Sequence, residues 1–146
     1  MTSPASQPGA PVPVHATFDV VNDAASIDAA QNRIVEAIER FDYPKASVFA
    51  MRLSLHEAMS NAFRHGHAGL PASTPITVSC SIGPDKVVMA VEDQGPGFNP
   101  DAVPDPTLEE NLERGSGRGL LLIKAYMASA SYNAKGNRLE MVYRRP

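Results

Sequence analysis

The sequence predicts an α+β fold, a two-layer sandwich with a mixed, mostly antiparallel sheet and helices on one face. Ile76-Thr77-Val78-Ser79-Cys80-Ser81-Ile82 alternates apolar and polar residues, turns at Gly83-Pro84-Asp85 and returns through Lys86 to Glu92; this is a hairpin pattern. Two segments upstream repeat apolar residues at helical spacing instead. The order that results is strand, two helices, hairpin, glycine-rich stretch, helix, hairpin. Helices gathered on one side of a mostly antiparallel sheet are the layering that follows.

Each element has its own signal. Residues 1–13 hold four prolines with Ser, Ala, Gln and Gly and few apolar anchors, the composition of a disordered tail. A single domain is expected over 14–146. Val14 to Val21 alternates loosely before Asn22-Asp23 and predicts the first strand. Ser26 is the expected N-cap of a helix through Ile27, Ile34, Ile38 and Phe41, ended by Tyr43-Pro44. The second helix should run from about Lys45 to about His65. Phe49, Leu53 and Phe63, with Val48, Leu55, Met59 and Ala62, give it a broad apolar face. Gly66 and Gly69 supply its stop, and 71–75 is a turn. From Gly95 to Gly117 no period is visible, and a loop of that length predicts a lid over about 98–116. Leu120 to Ala128 reads as a third helix, and Tyr132 to Arg144 as a hairpin turning at Gly136-Asn137.

Composition removes several classes. At 146 residues with 43% hydrophobic content the chain can bury a core without metals or disulfides. Its net charge is -3 with Lys and Arg dispersed, so no nucleic-acid or membrane footprint is present. Arg144 and Arg145 read as a solvated strand terminus. Cys80 is the only cysteine; it reads as a small buried strand residue in a reducing compartment. No run approaches the roughly 18 apolar residues of a membrane span, and no basic start leads into an apolar stretch. A cytoplasmic location is therefore expected. His15, His56 and His67 show no ligand spacing, so no metal site of nitrogen or sulfur is predicted.

Three motifs carry chemistry. In the first, Glu57, Asn61 and His65 lie four apart and share one helix face. Such a stripe is either an ordinary surface or a place where Asn61 ligates Mg²⁺ and Glu57 acts as a general base. In the second, Asp93-Gln94-Gly95-Pro96-Gly97 follows an apolar strand. It is either a tight turn or a place where Gly95 and Gly97 admit a ligand and Asp93 accepts from an exocyclic amine. In the third, Gly115-Ser116-Gly117-Arg118-Gly119-Leu120 opens the third helix. A hinge explains that run, and so does an anion site at a helix N-terminus with Arg118 forking onto a phosphate. Gly-x-Gly-x-x-Gly is not met, because Leu120 follows Gly119; no Lys-Ser or Lys-Thr follows as a P-loop requires.

In order and spacing the three resemble the N box and two glycine boxes of the ATPase superfamily that joins DNA gyrase, sensor histidine kinases and mismatch-repair ATPases. Glu57-Ala-x-x-Asn61-Ala-x-x-His65-Gly66 and Gly117-Arg-Gly-Leu120, in a chain this short, look most like the anti-sigma-factor serine kinases. The resemblance covers about residues 14–144 and implies a Bergerat-type fold with ATP and Mg²⁺. It makes Asn61 the Mg²⁺ ligand and Glu57 the base that activates a partner's serine. It makes Asp93 the reader of the adenine amine above Gly95 and Gly97. Gly115, Gly117, Gly119 and Leu120 become the phosphate-binding turn, with Arg118 on the γ-phosphate. The implied partners are a sigma factor and a STAS-type antagonist protein, with a homodimer expected from the family alone. One departure stands out: the family's last hairpin often carries a Gly-Thr pair, and here the turn reads Gly136-Asn137-Arg138. Alternatively, the chain is a silent ATP-binding module that regulates by sequestration. A sensor histidine kinase would need a helix pair that 13 tail residues cannot supply.

Overall fold

The computed structural model describes residues 12–97 and 115–146, with side chains in the second span from Gly119 onward. Of the expected tail (1–13) residues 1–11, and of the expected lid (98–116) residues 98–114, lie outside the described residues; 115 and 116 fall in a helix instead. Strand β1 (Val14–Val20) leads to helices α1 (Ala24–Glu39) and α2 (Lys45–Asn61), and α2 continues into a π turn, Ala62–Gly66. Strands β2 (Ile76–Ile82) and β3 (Lys86–Glu92) form the first hairpin; helix α3 (Gly115–Tyr126) precedes β4 (Ser129–Tyr132) and β5 (Arg138–Arg144). The five strands lie in the order β1-β2-β3-β5-β4. All the pairings among the described residues are antiparallel; the expected α+β fold with a mostly antiparallel sheet is the one observed, without a parallel pair among these residues.

The alternation in β2 explains the layering. Ile76, Val78, Cys80 and Ile82 are buried, whereas Thr77, Ser79 and Ser81 face the other way and are half-buried. Strand pairing carries the period across the sheet, because directly opposed residues share a face. Cys80 stands between Ala16 and Met89, and Met89 is paired in turn with Met141. Onto this apolar face pack Ile34 and Ile38 of α1 and Met51, Leu55 and Met59 of α2, all 0–1% exposed. Each such side chain stabilises the fold by roughly 1.5–3 kcal/mol relative to exposure. Burial also pushes the Cys80 thiol pKa up, so it is an inert core residue rather than a nucleophile.

Several boundaries differ from expectation. Asp23, not Ser26, caps α1: its side chain accepts the Ser26 N–H at 2.7 Å, and the Ser26 hydroxyl accepts the Val21 N–H at 3.0 Å. Aspartate caps as well as serine does, and the strand's end left it nearest the first free N–H groups. Helix α1 stops at Glu39, before Tyr43-Pro44; Asp42 adopts φ 55 there, and Tyr43 is buried with its hydroxyl donating to the Gly83 carbonyl at 2.7 Å. Phe49 is not part of the apolar face of α2. It is 58% exposed and meets Tyr126 of α3 edge-on at 6.5 Å. Strand β4 begins at Ser129, earlier than the expected Tyr132, and α3 begins at Gly115, five residues before Leu120. Arg145 is more than a solvated terminus. Its guanidinium lies 4.0 Å over the Tyr43 ring and donates to the Phe41 and Pro84 carbonyls, tying the end of β5 to the α1–α2 connection. Arg144 is exposed.

Candidate functional site

The site is built where the C-terminal half of α2 meets the start of α3. Glu57 and Asn61, one turn apart, are both half-buried there. Gly119, in the second turn of α3, faces them closely: a Cβ on Gly119 would stand 2.8 Å from Asn61 Nδ2, 3.2 Å from Asn61 Oδ1 and 3.2 Å from Glu57 Oε2. A side chain at 119 would thus fill the cradle that Glu57 and Asn61 form. Neither of the two side chains spends a hydrogen bond on any described residue, so their oxygens remain available. Gly115, Gly117 and Arg118 share the helix start with Gly119, although the Arg118 side chain lies outside the described part. Leu120 is half-buried beside them. Amides at such a helix start carry the positive end of its dipole.

His65, the third residue of the polar stripe, is exposed. Partial burial and then the neighbouring Arg64 hold its pKa below the ordinary 6.5, which favours a neutral ring. Among the described residues it shares no hydrogen bond or ion pair with Glu57 or Asn61, so two of the three stripe residues meet at the cradle and the third lies at the surface.

The second part of the site is the loop after β3. Asp93 Oδ1 accepts the Gly95 N–H at 2.8 Å. The same carboxylate lies over Gly66, where a Cβ would overlap it, and a Cβ on Gly95 would overlap the Gly66 carbonyl. Gly97 has φ 75 and sits against the Lys135 carbonyl, a conformation and a proximity that only glycine tolerates without strain. The loop is therefore pressed between the π turn of α2 and the β4–β5 turn. Burial pushes the Asp93 pKa above 3.8, against the opposing pull of the Gly95 N–H.

The β4–β5 turn explains the departure at Asn137. Asn133 Oδ1 accepts the backbone N–H groups of Gly136, Asn137 and Arg138 at 2.9, 3.0 and 3.1 Å. Asn133 Nδ2 donates to Asn137 Oδ1 at 2.9 Å, and Asn137 Nδ2 donates to the Asp93 carbonyl at 3.1 Å. The Asp93 N–H returns a bond to the Asn137 carbonyl at 2.8 Å. Asn137, 9% exposed, is engaged at both ends of its amide with protein; it braces Asp93 where a threonine hydroxyl was expected to face a nucleotide. Asn133 was not expected in the site; Gly66 was expected as the helix stop and the end of the His65-Gly66 motif, and Asn137 as the turn residue that departs from the Gly-Thr pair. For Asn137 the partner Asp93 is 44 residues away, and nothing local announces it; Asn133 acts within its own turn, on the N–H groups of Gly136, Asn137 and Arg138.

Oxygen donors from Asn61 and Glu57 beside a helix start suit Mg²⁺, which takes oxygen ligands and works through phosphates. Among the described residues no group of three His, Cys, Asp or Glu side chains is placed to hold a metal by itself. Among the described residues, too, no helix is long and apolar enough to cross a membrane.

The chain thus combines an antiparallel sheet under two long helices with an acidic residue after a strand end and a glycine-opened helix. Residues 20–143 match the family described as histidine kinase-like ATPase domains, and the chain belongs to that family. Among solved structures it is similar to the crystal structure of the RsbU and RsbW domains of Rv1364c from Mycobacterium tuberculosis, with a TM-score of 0.62 and 19% identity. That likeness covers 94% of this chain and 34% of the other, so this chain spans about a third of that one's length. A comparison with curated proteins found no match.

Proposed function

We propose that the chain binds Mg-ATP between α2, α3 and the Asp93 loop and transfers the γ-phosphate to a serine of a partner protein, as an anti-sigma-factor serine kinase. The observation that carries this reading is the seat of Gly119 against Glu57 and Asn61. It supports the reading because it seats the glycine-opened turn of α3 beside an amide and a carboxylate, the groups that a metal ligand and a base require. Phosphoryl transfer asks mainly for positioning and charge neutralisation, and bound Mg²⁺ supplies the neutralisation. Asn61 holds the metal. Glu57 takes the proton of the serine hydroxyl as its oxygen bonds to the γ-phosphorus and the bond to the ADP oxygen breaks. Asp93 accepts from the adenine amine, over Gly95 and Gly97. Gly115, Gly117, Gly119 and Leu120 place backbone amides along the phosphates, and Arg118 contacts the γ-phosphate. The partners are a sigma factor in one nucleotide state and a STAS-type antagonist in the other.

Co-purification of the tagged chain from its own cells, in Mg-ATP and in Mg-ADP, tests the reading. Recovery of a sigma factor or of a small antagonist whose retention depends on the nucleotide supports it; ATP binding with neither partner recovered refutes it. A second reading, a module that sequesters partners without transfer, is favoured by one observation: the β4–β5 turn offers an amide committed to Asp93 instead of a hydroxyl.

Two expectations follow for nucleotide binding. Gly119→Ala is expected to lower Mg-ATP affinity about tenfold or more, because the metal ligand is displaced, with little loss of stability. The atoms it would push are the ends of flexible side chains. Calorimetric titration beside a thermal melt checks this, and a large fall in Tm with unchanged affinity would contradict it.

The second concerns pH. A carboxyl whose folded pKa is raised binds its proton more tightly when folded, so its ionisation costs stability as pH rises from 3.8 through the raised value. Wild-type affinity for Mg-ATP should therefore weaken on acidification before pH 3.8 is reached, as Asp93 takes up a proton and its charge as an acceptor is lost. Asp93→Asn should bind weakly and show no such step. The ratio of wild-type to variant affinity across the acidic range is the measurement, and a ratio independent of pH would contradict the expectation.

A further inference from the structure

Helix α2 ends in a wide turn. The His67 N–H closes it on the Ala62 carbonyl at 2.9 Å, and the His67 carbonyl accepts the Leu70 N–H at 2.9 Å. π turns are rare and gather at functional sites. This one delivers the His67 ring, 6% exposed, against Phe63 at a centroid distance of 5.8 Å. There Nε2 accepts the backbone N–H of Gln94 at 2.9 Å. An imidazole nitrogen that accepts carries no proton, so the ring is the neutral form with its N–H on Nδ1. Gln94 lies between Asp93 and Gly95. Its own side chain donates outward, to the Pro75 carbonyl at 2.8 Å, so the backbone bond is what His67 contributes.

We propose that His67 is a positioning residue for the base-reading loop: by holding the Gln94 N–H it sets the Asp93 carboxylate against the π turn and so sets selectivity for adenine. The loop is held on two sides, by His67 and Gly66 after α2 and by Asn137 and Lys135 of the β4–β5 turn. Because His67 caps the C-terminus of the helical segment that carries Asn61, the purine end and the metal end of the site are referred to the same element. The inference rests on the reading of Asp93 as the acceptor for the adenine amine.

Isosteres separate positioning from mere packing. A glutamine amide oxygen reproduces the place of Nε2, whereas an asparagine oxygen reproduces that of Nδ1 and falls short of Gln94. The experiment is calorimetric titration of the full chain with Mg-ATP and Mg-GTP, for wild type, His67→Gln, His67→Asn and Asp93→Asn, with a thermal melt of each. His67→Asn is expected to weaken Mg-ATP binding about tenfold, the size of leaving a part-buried N–H without its acceptor, and to leave Mg-GTP binding nearly unchanged. His67→Gln should restore most of the ATP preference even if its Tm is lower. Equal losses for both nucleotides, or indistinguishable His67→Gln and His67→Asn, would overturn the proposal while leaving the Asp93 reading intact. A wild type without ATP preference, or an Asp93→Asn variant that keeps it, would overturn the Asp93 reading and the proposal with it. If His67→Asn does not fold, His67→Phe retains the contact with Phe63 without an acceptor and must show the same selective loss.

Discussion

Glu57→Gln is expected to lower phosphoryl transfer about 10²- to 10⁴-fold, the usual contribution of a positioned general base, while the variant still binds Mg-ATP. The substitution keeps the shape of the side chain and its place against Gly119, but an amide cannot take the hydroxyl proton. The loss should therefore fall on turnover, with affinity preserved. The measurement is label from the γ-phosphate appearing on a serine protein, with nucleotide binding followed in parallel. Transfer that persists in Glu57→Gln would remove Glu57 from the base's role. A wild type that binds Mg-ATP and labels nothing would instead favour the sequestering module.

Gly95→Ala is expected to damage both the fold and the site. The new methyl would overlap the Gly66 carbonyl, which is backbone, and backbone in a packed turn cannot swing aside as the end of a side chain can. Overpacking of this kind costs roughly 1–3 kcal/mol, several degrees in Tm for a domain of this size. Moving the loop by even a fraction of an ångström also displaces Asp93, so Mg-ATP affinity should fall about tenfold or more. Gly69→Ala is the control. Gly69 has φ 84 but nothing lies within 4 Å of its added Cβ. That substitution should cost on the order of 1 kcal/mol of backbone strain and leave affinity alone. A Gly95→Ala protein that binds Mg-ATP like wild type would show that the contact with Gly66 does not position the loop.

How far such predictions were legible in the sequence depends on the range of the interaction concerned. The strands were legible because a period of two is a local property, and Ile76 to Ile82 displays it without interruption. Glu57 and Asn61 were legible because one turn of helix places them together whatever the tertiary structure. The pairing of these residues with Gly119 required the resemblance, since they are about 60 residues apart in the chain. Phe49 was misread because it is apolar and near the right spacing, while its actual partner, Tyr126, lies on another helix. Asp23 displaced Ser26 as the cap because two good capping residues lie three apart, and propensity does not rank them. The bracing of Asp93 by Asn137 was beyond reach: an asparagine beside a glycine signals a turn, and nothing in that signal names what the turn touches.

The exposed tip of the β4–β5 turn, Ala134 and Lys135, looks like a convenient place to insert an epitope or a fluorophore. Such sites are normally silent. Here the three hydrogen bonds accepted by Asn133 Oδ1, the contact of Lys135 with Gly97 and the grip of Asn137 on Asp93 make the tip a strut of the Asp93 loop. Under the proposed function, a reporter grafted at that point would perturb nucleotide occupancy, and for the same reason a dye there would register nucleotide exchange at a distance.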